Sequence, residues 1–403
     1  MLKRGILFLI DSTLESNVRA LKTIQSLSKK YSVYVFHRGE LNEKSRYLQI
    51  PDTHFTSLPH SSLSFFRRTI FLGNDFKINA ELQLSDMLLS HIHAVYCVDL
   101  WTLPTGQTIA RKNNLKLIYD SYEICAETLS QQYPLRGYSL KSIFFRFWVV
   151  LSKKFSQKTE RKSLKSVDLF ITTSPSYLNY FKQKYTIDNS AIVMNCPDYI
   201  TDIKPIDLHD RFGINRTKSI VLYIGWFNNG RKLQELISAS PMLDDDLHLL
   251  YLGKGPILPE LKHLAANLSN VSIEGPFEMY QTHSLIQGAD MGILLLDNTN
   301  ISKHNASANK VFDFLLCGIP MILSNSPENK RIALLTNQFY LVDSLTSTDL
   351  AISINAAIKE VKQKDKSTIS EELKSLSKNQ FNWQNQEVVL LKSIDGVFNP
   401  PKF

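Results

Sequence analysis

Short runs of apolar residues alternate with amphipathic segments along the chain. The run Gly5-Ile-Leu-Phe-Leu-Ile is followed by a segment of helical spacing over 17–30 and then by the run Tyr31-Ser-Val-Tyr-Val-Phe. Apolar runs of this length, separated by helical segments, are typical of strands in a parallel sheet that is covered on both faces. The pattern therefore predicts an α/β fold that opens with a β-α-β unit.

The same alternation starts again in the second half. The run Ser219-Ile-Val-Leu-Tyr-Ile ends at Gly225, an amphipathic helix is predicted over 233–239, and another apolar run covers 247–252. The polar stretch over 198–215 precedes this half and contains a proline, which is typical of a linker. We therefore predict a first domain over 1–200, a linker over 201–215, a second domain over 216–378 and a closing segment over 379–403.

Composition narrows the class of protein. A chain of 403 residues is too long to fold around one ordinary hydrophobic core, so more than one domain is expected. A content of 43% hydrophobic and 21% charged residues is typical of a soluble globular chain. The formal net charge of +8 predicts an anionic partner. The basic residues form no known reader motif, so nucleic acid is not an expected partner.

The sequence also predicts a cellular location. The first apolar run ends at Asp11 and is too short for a signal peptide, and no uncharged run is long enough to span a bilayer. The four cysteines form no Cys-x-x-Cys pair and lie in apolar surroundings, which indicates buried free thiols in a reducing compartment. These features predict a cytoplasmic protein.

The segment 305–320, NASANKVFDFLLCGIP, predicts a loop, a short helix and a stop at Gly-Ile-Pro. Asn305, Ser307 and Asn309 are residue types that cap helix N-termini. Apolar runs on both sides predict strands, so a helix begins just past the carboxyl end of a parallel strand. Such a helix start favours an anion, because its first amides lack partners and the helix dipole is positive there. The alternative is a strand–loop–helix–strand unit that binds no ligand.

A glycine and two basic residues lie between the run that starts at Ser219 and the helix predicted over 233–239. Gly225 lets the backbone approach a ligand, and Arg231 offers a permanent bidentate donor for phosphate. Lys232 adds a second charge. The alternative is a solvated basic turn.

Acidic and aromatic residues follow two strands predicted in the first half. Asp99 follows one strand, and Asp120, Tyr122 and Glu123 follow the next. Carboxyl ends of parallel strands border the crevice in which α/β proteins bind ligands, which predicts a binding role for these residues. The alternative is that Asp120 and Glu123 cap a helix.

Two segments resemble a known family. NKVFDFLLCGIPMILSN resembles the segment N-K-x-F-E-Y-x-x-x-G-x-P-V-I of GT-B-fold retaining glycosyltransferases of family 4. The segment 225–233 resembles that family's G-x(4)-G-R-G-L loop, with Lys232 in place of its second-to-last glycine. The family's E-x(7)-E pair, which contacts the donor sugar and the ribose, corresponds here to Asn305 and Asp313. Asp313 keeps a carboxylate that can accept from ribose hydroxyls, whereas Asn305 is neutral.

The resemblance implies a GT-B fold, in which two Rossmann-like domains facing a cleft bind the acceptor (first domain) and the nucleotide sugar (second domain). The closing segment resembles the family's last helix, which packs back on the first domain. The implied catalytic residues are Arg231, Lys232 and Asn305. The implied nucleotide-sugar-binding residues are Gly225, Gly253, Phe277, Ala306, Ser307, Ala308, Asn309, Lys310 and Asp313. The implied acceptor-side residues are Arg19, Asp99, Asp120, Tyr122 and Glu123. A solvent-facing Arg19 on the first helix is the alternative.

The resemblance implies retaining transfer of a sugar from a UDP- or GDP-linked donor to a saccharide acceptor, in the synthesis of bacterial cell-surface polysaccharide or glycoconjugate. No cofactor and no metal are expected, and the acidic triplet over 244–246 is interpreted as a solvated turn. Two alternatives stay open. One is a nucleotide-sugar epimerase of the same fold, and the other is a non-catalytic sugar- or nucleotide-binding partner.

Two stretches of the first half combine aromatic and basic residues, over 65–71 and 143–165. Such helices suit an anionic membrane surface, which would place the protein on the inner face of the plasma membrane and favour a lipid-linked saccharide acceptor. The alternative is a core helix with a basic solvated edge.

Overall fold

The computed structural model of the chain describes residues 3–15, 17–40, 49–59, 74–84, 86–132, 140–298 and 300–399. The chain forms two compact units. The first consists of Met1–Val193 with Glu387–Phe403, and the second of Met194–Gln386. The predicted domain and linker boundaries stay a prediction, and the predicted aromatic-basic stretch over 65–71 lies outside the described residues.

The first unit contains a parallel sheet with the strand order β3-β2-β1-β4-β5-β6-β7. Its strands are β1 (Gly5–Leu9), β2 (Ser32–Arg38), β3 (Thr53–Leu58), β4 (Ile92–Val98), β5 (Lys116–Ser121), β6 (Leu169–Thr172) and β7 (Ser190–Ile192). Its helices are α1 (Val18–Ser28), α2 (Asn74–Gln83), α3 (Asp86–Leu89), α4 (Asp99–Lys112), α5 (Cys125–Gln132), α6 (Leu140–Leu164) and α7 (Pro175–Lys184).

The second unit contains a parallel sheet with the order β10-β9-β8-β11-β12-β13. Its strands are β8 (Ser219–Trp226), β9 (Leu247–Lys254), β10 (Val271–Glu274), β11 (Met291–Leu294), β12 (Met321–Ser324) and β13 (Phe339–Val342). Its α-helices are α8 (Leu208–Phe212), α9 (Leu233–Ala239), α10 (Leu258–Ala265), α11 (Thr282–Gln287), α12 (Ile301–His304), α13 (Asn309–Cys317), α14 (Pro327–Ala333), α15 (Ser347–Lys362) and α16 (Lys366–Asn379). Short 3₁₀ helices cover Ser240–Met242 and Met279–Gln281.

The predicted α/β class is confirmed, and the apolar runs predicted it correctly because they form strands that are buried on both faces. Every residue of β1 is buried, as the continuous apolar run requires for a strand covered on both faces. The helix predicted over 17–30 covers Val18–Ser28 and begins at Asn17, whose side chain accepts from the amide of Ala20. The helix predicted over 233–239 has those bounds.

The last helix, α17 (Trp383–Phe398), continues from the second unit into the first, where its residues from Glu387 contact α1 and its flanks. Ser26 and Lys29 donate to the Glu387 carboxylate, at 2.9 Å and 2.6 Å. Lys30 and Tyr31 both donate to Asp395, each at 2.5 Å. This end of the helix is therefore part of the first unit's packing.

The sequence predicted buried thiols and no membrane-spanning segment. Cys97, Cys125, Cys196 and Cys317 are buried and form no disulfide among the described residues, which confirms the predicted thiols. Within the described ranges, no helix combines the length and the apolar character that crossing a bilayer requires.

Candidate active site

Two buried polar atoms without partners mark the loop that follows β8. Among the described residues, Oδ1 of Asn228 and Nε of Arg231 are buried and have no hydrogen-bond partner. Leaving a buried polar group unpaired costs about 1–3 kcal/mol, so native structures retain few such groups. The two atoms leave one acceptor and one donor of this loop available to a polar ligand.

Lys232, next to Arg231, has its charge already paired. It is the N-cap of α9 and adopts the left-handed conformation, with φ 53° and ψ 33°. Its ammonium lies 2.6 Å from Oε1 of Glu235, one turn along the helix. Of the two predicted phosphate-binding cations, Arg231 is thus the one that has a buried donor without a partner.

A third cation, which the sequence did not indicate, joins this loop. Lys303 on α12 donates to the main-chain oxygen of Asn229 at 3.2 Å. A Cβ at Gly230, whose φ is 84°, would lie 2.6 Å from Nζ of Lys303 and 2.9 Å from Oδ2 of Asp297. The positive φ favours glycine here, and the missing side chain leaves room for the lysine and the carboxylate beside the loop.

The predicted caps of α13 are wrong. Its N-cap is Ala308, which makes no side-chain cap hydrogen bond. Asn305 instead ends α12 and donates its amide to the oxygen of Ile301 at 2.9 Å. Because no side chain caps α13, the main-chain amides of Asn309 and Lys310 remain available for an anion, as they would in any uncapped helix.

A buried carboxylate positions the loop that leads into α13. Oε2 of Glu328 accepts from the Ser307 hydroxyl and from Nε of Arg331, at 3.0 Å each. The Glu328 side chain is 0% exposed, whereas that of Arg331 is 33% exposed. A buried charge is tolerated when it is paired and hydrogen-bonded, so Glu328 orders Ser307 and the main chain beside it.

Asp313, the predicted ribose-binding residue, is held in a fixed orientation on α13. Its Oδ2 lies 2.9 Å from Nζ of Lys310 and its Oδ1 lies 3.1 Å from Nε2 of His283. Burial opposes its ionisation, but Lys310 and His283 outweigh burial and lower the pKa of Asp313. Each carboxylate oxygen keeps a lone pair that a ligand hydroxyl can use.

Two glycines bring β8 and β9 close together at their carboxyl ends. Gly225 pairs with Gly253 in the sheet, and a Cβ at Gly253 would lie 1.9 Å from the main-chain oxygen of Gly225. Gly253 is therefore required by packing as well as by any ligand. Phe277, which follows β10, is half-buried and packs against the core of this unit.

In the first unit, Arg19 and Asp120 form a buried ion pair, so the solvent-facing alternative for Arg19 is wrong. The NH2 nitrogen of Arg19 lies 3.0 Å and 3.2 Å from the two oxygens of Asp120, and the side chains are 4% and 1% exposed. Tyr96 donates to Oδ2 of Asp120 at 2.5 Å, and Arg19 also donates to the oxygen of Val193. Asp120 lies at the end of β5 rather than at a helix cap.

Asp99 and Tyr122 meet beside this pair. The guanidinium of Arg19 lies 4.5 Å from the ring centroid of Tyr122, whose hydroxyl is buried without a partner among the described residues. Oδ1 of Asp99 accepts from the main-chain amide of Tyr122 at 2.8 Å. Desolvation raises the pKa of Asp99 to about 7.

Asp99 also lines a cavity in the first unit of about 260 Å³. The residue has a φ of 59°, a left-handed conformation that non-glycine residues adopt at a cost of about 1–3 kcal/mol. The cavity is lined by Ile10, Asp11, Ser12, Asn17, Val98, Asp99 and Trp101. A carboxyl group that titrates near neutrality, next to hydroxyl, amide and indole groups, suits a ligand rich in hydroxyls.

Two predicted features lie apart from these clusters. Glu123 is exposed, and its main-chain oxygen accepts from the Ser121 hydroxyl at 2.8 Å. In the acidic triplet, the main-chain amide of Asp244 donates to Asn355 and Asp246 pairs with Lys362. Within the part of the chain that the structure describes, no group of His, Cys, Asp and Glu side chains could hold a metal ion.

Known structures share this architecture. Sucrose-phosphate synthase from Thermosynechococcus elongatus matches with a TM-score of 0.75 at 13% identity, over 99% of this chain and 100% of that chain. Anabaena HepE in complex with UDP and glucose matches with a TM-score of 0.70 at 14% identity, over 98% and 100%. A glycosyltransferase from Rickettsia africae matches with a TM-score of 0.70 at 14% identity, over 99% and 100%. No protein-family model and no curated protein sequence matches the chain.

The two parallel sheets and these matches show that the chain has the GT-B fold, as predicted. Its structural neighbours include glycosyltransferases. A Listeria monocytogenes protein assigned as a UDP-N-acetylglucosamine 2-epimerase shares the fold, with a TM-score of 0.59. The fold alone therefore does not decide between transfer and epimerisation, and the resemblance to family 4 stays a prediction.

Proposed function

We propose that the chain is a retaining glycosyltransferase that moves a sugar from a UDP- or GDP-linked donor to a saccharide or lipid-linked saccharide acceptor. The observation that carries the proposal is the loop after β8, where Arg231 and Asn228 each present a buried polar atom without a partner. A diphosphate would satisfy the guanidinium of Arg231. A structural neighbour, HepE, was crystallised with UDP-glucose, which supports a nucleotide sugar as the ligand.

The charges around this loop fit the departure of a diphosphate. Arg231 and Lys303 supply positive charge, Lys232 adds a charge that Glu235 partly offsets, and the uncapped start of α13 supplies backbone amides over 307–310. Donors that are already oriented stabilise charge as it develops on the leaving group, which is where a transferase with an oxocarbenium-like transition state needs them. Asn305 is assigned to the donor sugar, whose hydroxyls a neutral amide can bind.

The other residues of the second unit are assigned to parts of the nucleotide sugar according to where they lie. Asp313 binds the ribose, because its carboxylate is ionised and held by Lys310 and His283. Gly225 and Gly253 let the ligand approach the sheet edge, and Phe277 lies by the base.

The acceptor is assigned to the first unit. The cavity beside Asp99 combines carboxylate, hydroxyl, amide and indole groups, which suits a saccharide. The guanidinium of the buried Arg19–Asp120 pair packs on the ring of Tyr122, and the main-chain amide of Tyr122 donates to Asp99 in the cavity lining. The cell compartment is proposed to be the cytoplasm, and the pathway a bacterial cell-surface polysaccharide or glycoconjugate.

An epimerase is the second candidate, because a neighbour assigned as one has the same fold. Epimerisation needs a base at the carbon that is inverted and uses no second substrate. Asn305 is not a base, which favours transfer. The requirement for an acceptor and the configuration of the product separate the two activities, and binding without turnover would indicate the non-catalytic alternative.

We expect Asp313→Ala to weaken binding of UDP, of GDP and of their sugars alike. The variant loses the carboxylate that accepts from the ribose, at a cost of roughly 1.5–3 kcal/mol for hydrogen bonds to a charged group. Isothermal titration calorimetry with the favoured nucleotide measures the loss, after a thermal-shift panel of UDP-, GDP- and dTDP-sugars has identified it.

Two variants control this experiment. Asp313→Asn keeps the shape of the side chain and should lose part of the affinity, whereas Glu371→Ala, at an exposed position on α16, should lose none. Unchanged nucleotide affinity in a folded Asp313→Ala protein would remove Asp313 from the ribose site.

A further inference from the structure

The helix α6 buries several small polar residues beside Val149 and Leu164, and it leaves large apolar residues exposed. Its inward-facing side chains include Ser152, Ser156 and Ser163, which are 8%, 1% and 1% exposed. Phe147 is 65% exposed and Phe155 is 46% exposed. An amphipathic helix that packs on a core normally turns its large apolar residues inward, so the exposed ones need an explanation.

The exposed apolar residues form one stripe. Ile143, Phe147, Leu151 and Phe155 recur at four-residue spacing, which puts them on one side of a helix, and Val150 lies beside them. Their exposed fractions run from 44% to 65%. Exposed apolar area costs about 25 cal/mol per Å², so a contiguous stripe of this kind indicates a surface that another body covers.

Basic residues continue the same stripe toward the end of α6. Lys154, Lys158, Arg161 and Lys162 are exposed and lie on the same side as the apolar residues. The acidic residue of this helix, Glu160, points inward, with the Tyr119 hydroxyl donating to it at 2.8 Å. The outer face of α6 therefore carries positive charge and no negative charge.

The charges on this face indicate which partner it binds. In a parallel pair of two copies, the basic halves would face each other, and in an antiparallel pair each basic half would meet an apolar half, so self-association is unfavourable. An anionic bilayer surface accepts both halves, because aromatic side chains enter the interface while lysine and arginine reach the headgroups.

We propose that the outer face of α6, defined by Ile143, Phe147, Val150, Leu151 and Phe155 with the basic residues from Lys154 to Lys162, is a docking surface for an anionic lipid bilayer. The helix lies on the bilayer surface. The proposal does not depend on the sugar-transfer reaction, because none of these residues belongs to the proposed donor or acceptor sites.

Vesicle co-sedimentation of the full chain tests the proposal. Wild-type protein should bind phosphatidylcholine vesicles that contain phosphatidylglycerol, should not bind pure phosphatidylcholine vesicles, and should dissociate at high salt. Lys154→Gln/Lys158→Gln/Lys162→Gln should lower the partition coefficient on the order of 100-fold, because each basic residue contributes about 1 kcal/mol. Phe147→Ser/Phe155→Ser should lower it on the order of tenfold.

Matched variants elsewhere control for general charge and hydrophobicity. Lys262→Gln/Lys359→Gln/Lys378→Gln and Ile352→Ser/Val388→Ser change exposed residues on other helices and should keep the wild-type partition coefficient. All variants should keep the wild-type unfolding temperature and nucleotide affinity, because the altered side chains are exposed.

Four results would overturn the proposal. The first is no binding to either vesicle, and the second is equal binding to both. The third is unchanged binding in both α6 variants, which would assign membrane binding to another surface. A wild-type dimer that Phe147→Ser/Phe155→Ser converts to a monomer would also contradict it, since the face would then be an interface between copies.

Discussion

Arg231→Ala is expected to lower kcat/KM by roughly 10²–10³-fold, with most of the loss in kcat. The guanidinium would stabilise charge on the departing diphosphate, and removing one such donor raises the barrier by roughly 2–4 kcal/mol. The buried Nε of Arg231, which has no partner among the described residues, is the structural reason to expect an effect this large. Steady-state kinetics with the favoured donor measure it.

Two further variants serve as controls for Arg231→Ala. Arg231→Lys keeps a charge but not the bidentate geometry, and should recover only part of the activity. Arg216→Ala removes an exposed arginine of the same unit that pairs with Asp207 and Asp210, and should leave kcat/KM unchanged. Near-normal kcat/KM in Arg231→Ala would contradict the assignment of this loop.

Asp120→Ala should lower the free energy of unfolding by roughly 3–5 kcal/mol. The substitution leaves the guanidinium of Arg19 buried without its counter-ion, and uncompensated buried charges carry a cost of this size. The pair is 4% and 1% exposed, so solvent cannot replace the lost carboxylate. Urea denaturation followed by circular dichroism measures the change.

The control variants for Asp120→Ala separate a buried pair from a surface one. Arg19→Met/Asp120→Leu removes both charges and should recover much of the lost stability. Lys366→Ala breaks a pair whose lysine is 75% exposed and should cost less than about 1 kcal/mol. A loss below about 1 kcal/mol in Asp120→Ala would contradict a tightly paired Arg19 and Asp120.

The sequence predicted the sheets because burial of a parallel strand is a local pattern. The run from Gly5 is buried along its length in β1, and helix α9 begins and ends where the periodicity indicated. The left-handed Lys232 has a local signal as well, since it occupies a position at which the resembled segment has glycine, and its φ is 53°.

The contacts of the candidate site could not be predicted, because their partners are far apart in sequence. Arg19 and Asp120 are 101 residues apart, and only the order of the strands brings them together. Ser307 and Asn305 have the side chains of helix caps, yet each bonds elsewhere, Ser307 to Glu328 and Asn305 to Ile301 at the start of α12. The residue types indicated that these side chains form polar contacts, whereas the hydrogen-bond partner of each side chain depended on the tertiary structure.

The most direct test of the central claim is a product analysis by proton NMR. The chain is incubated with UDP-glucose, UDP-N-acetylglucosamine, GDP-mannose and dTDP-glucose in turn, with simple pyranosides or water as acceptor. We predict release of nucleoside diphosphate from at least one donor, a first-formed product that keeps the donor's anomeric configuration, and loss of the reaction in Arg231→Ala. An inverted product, a sugar epimerised at another ring carbon, or no release from any of these donors would contradict the account.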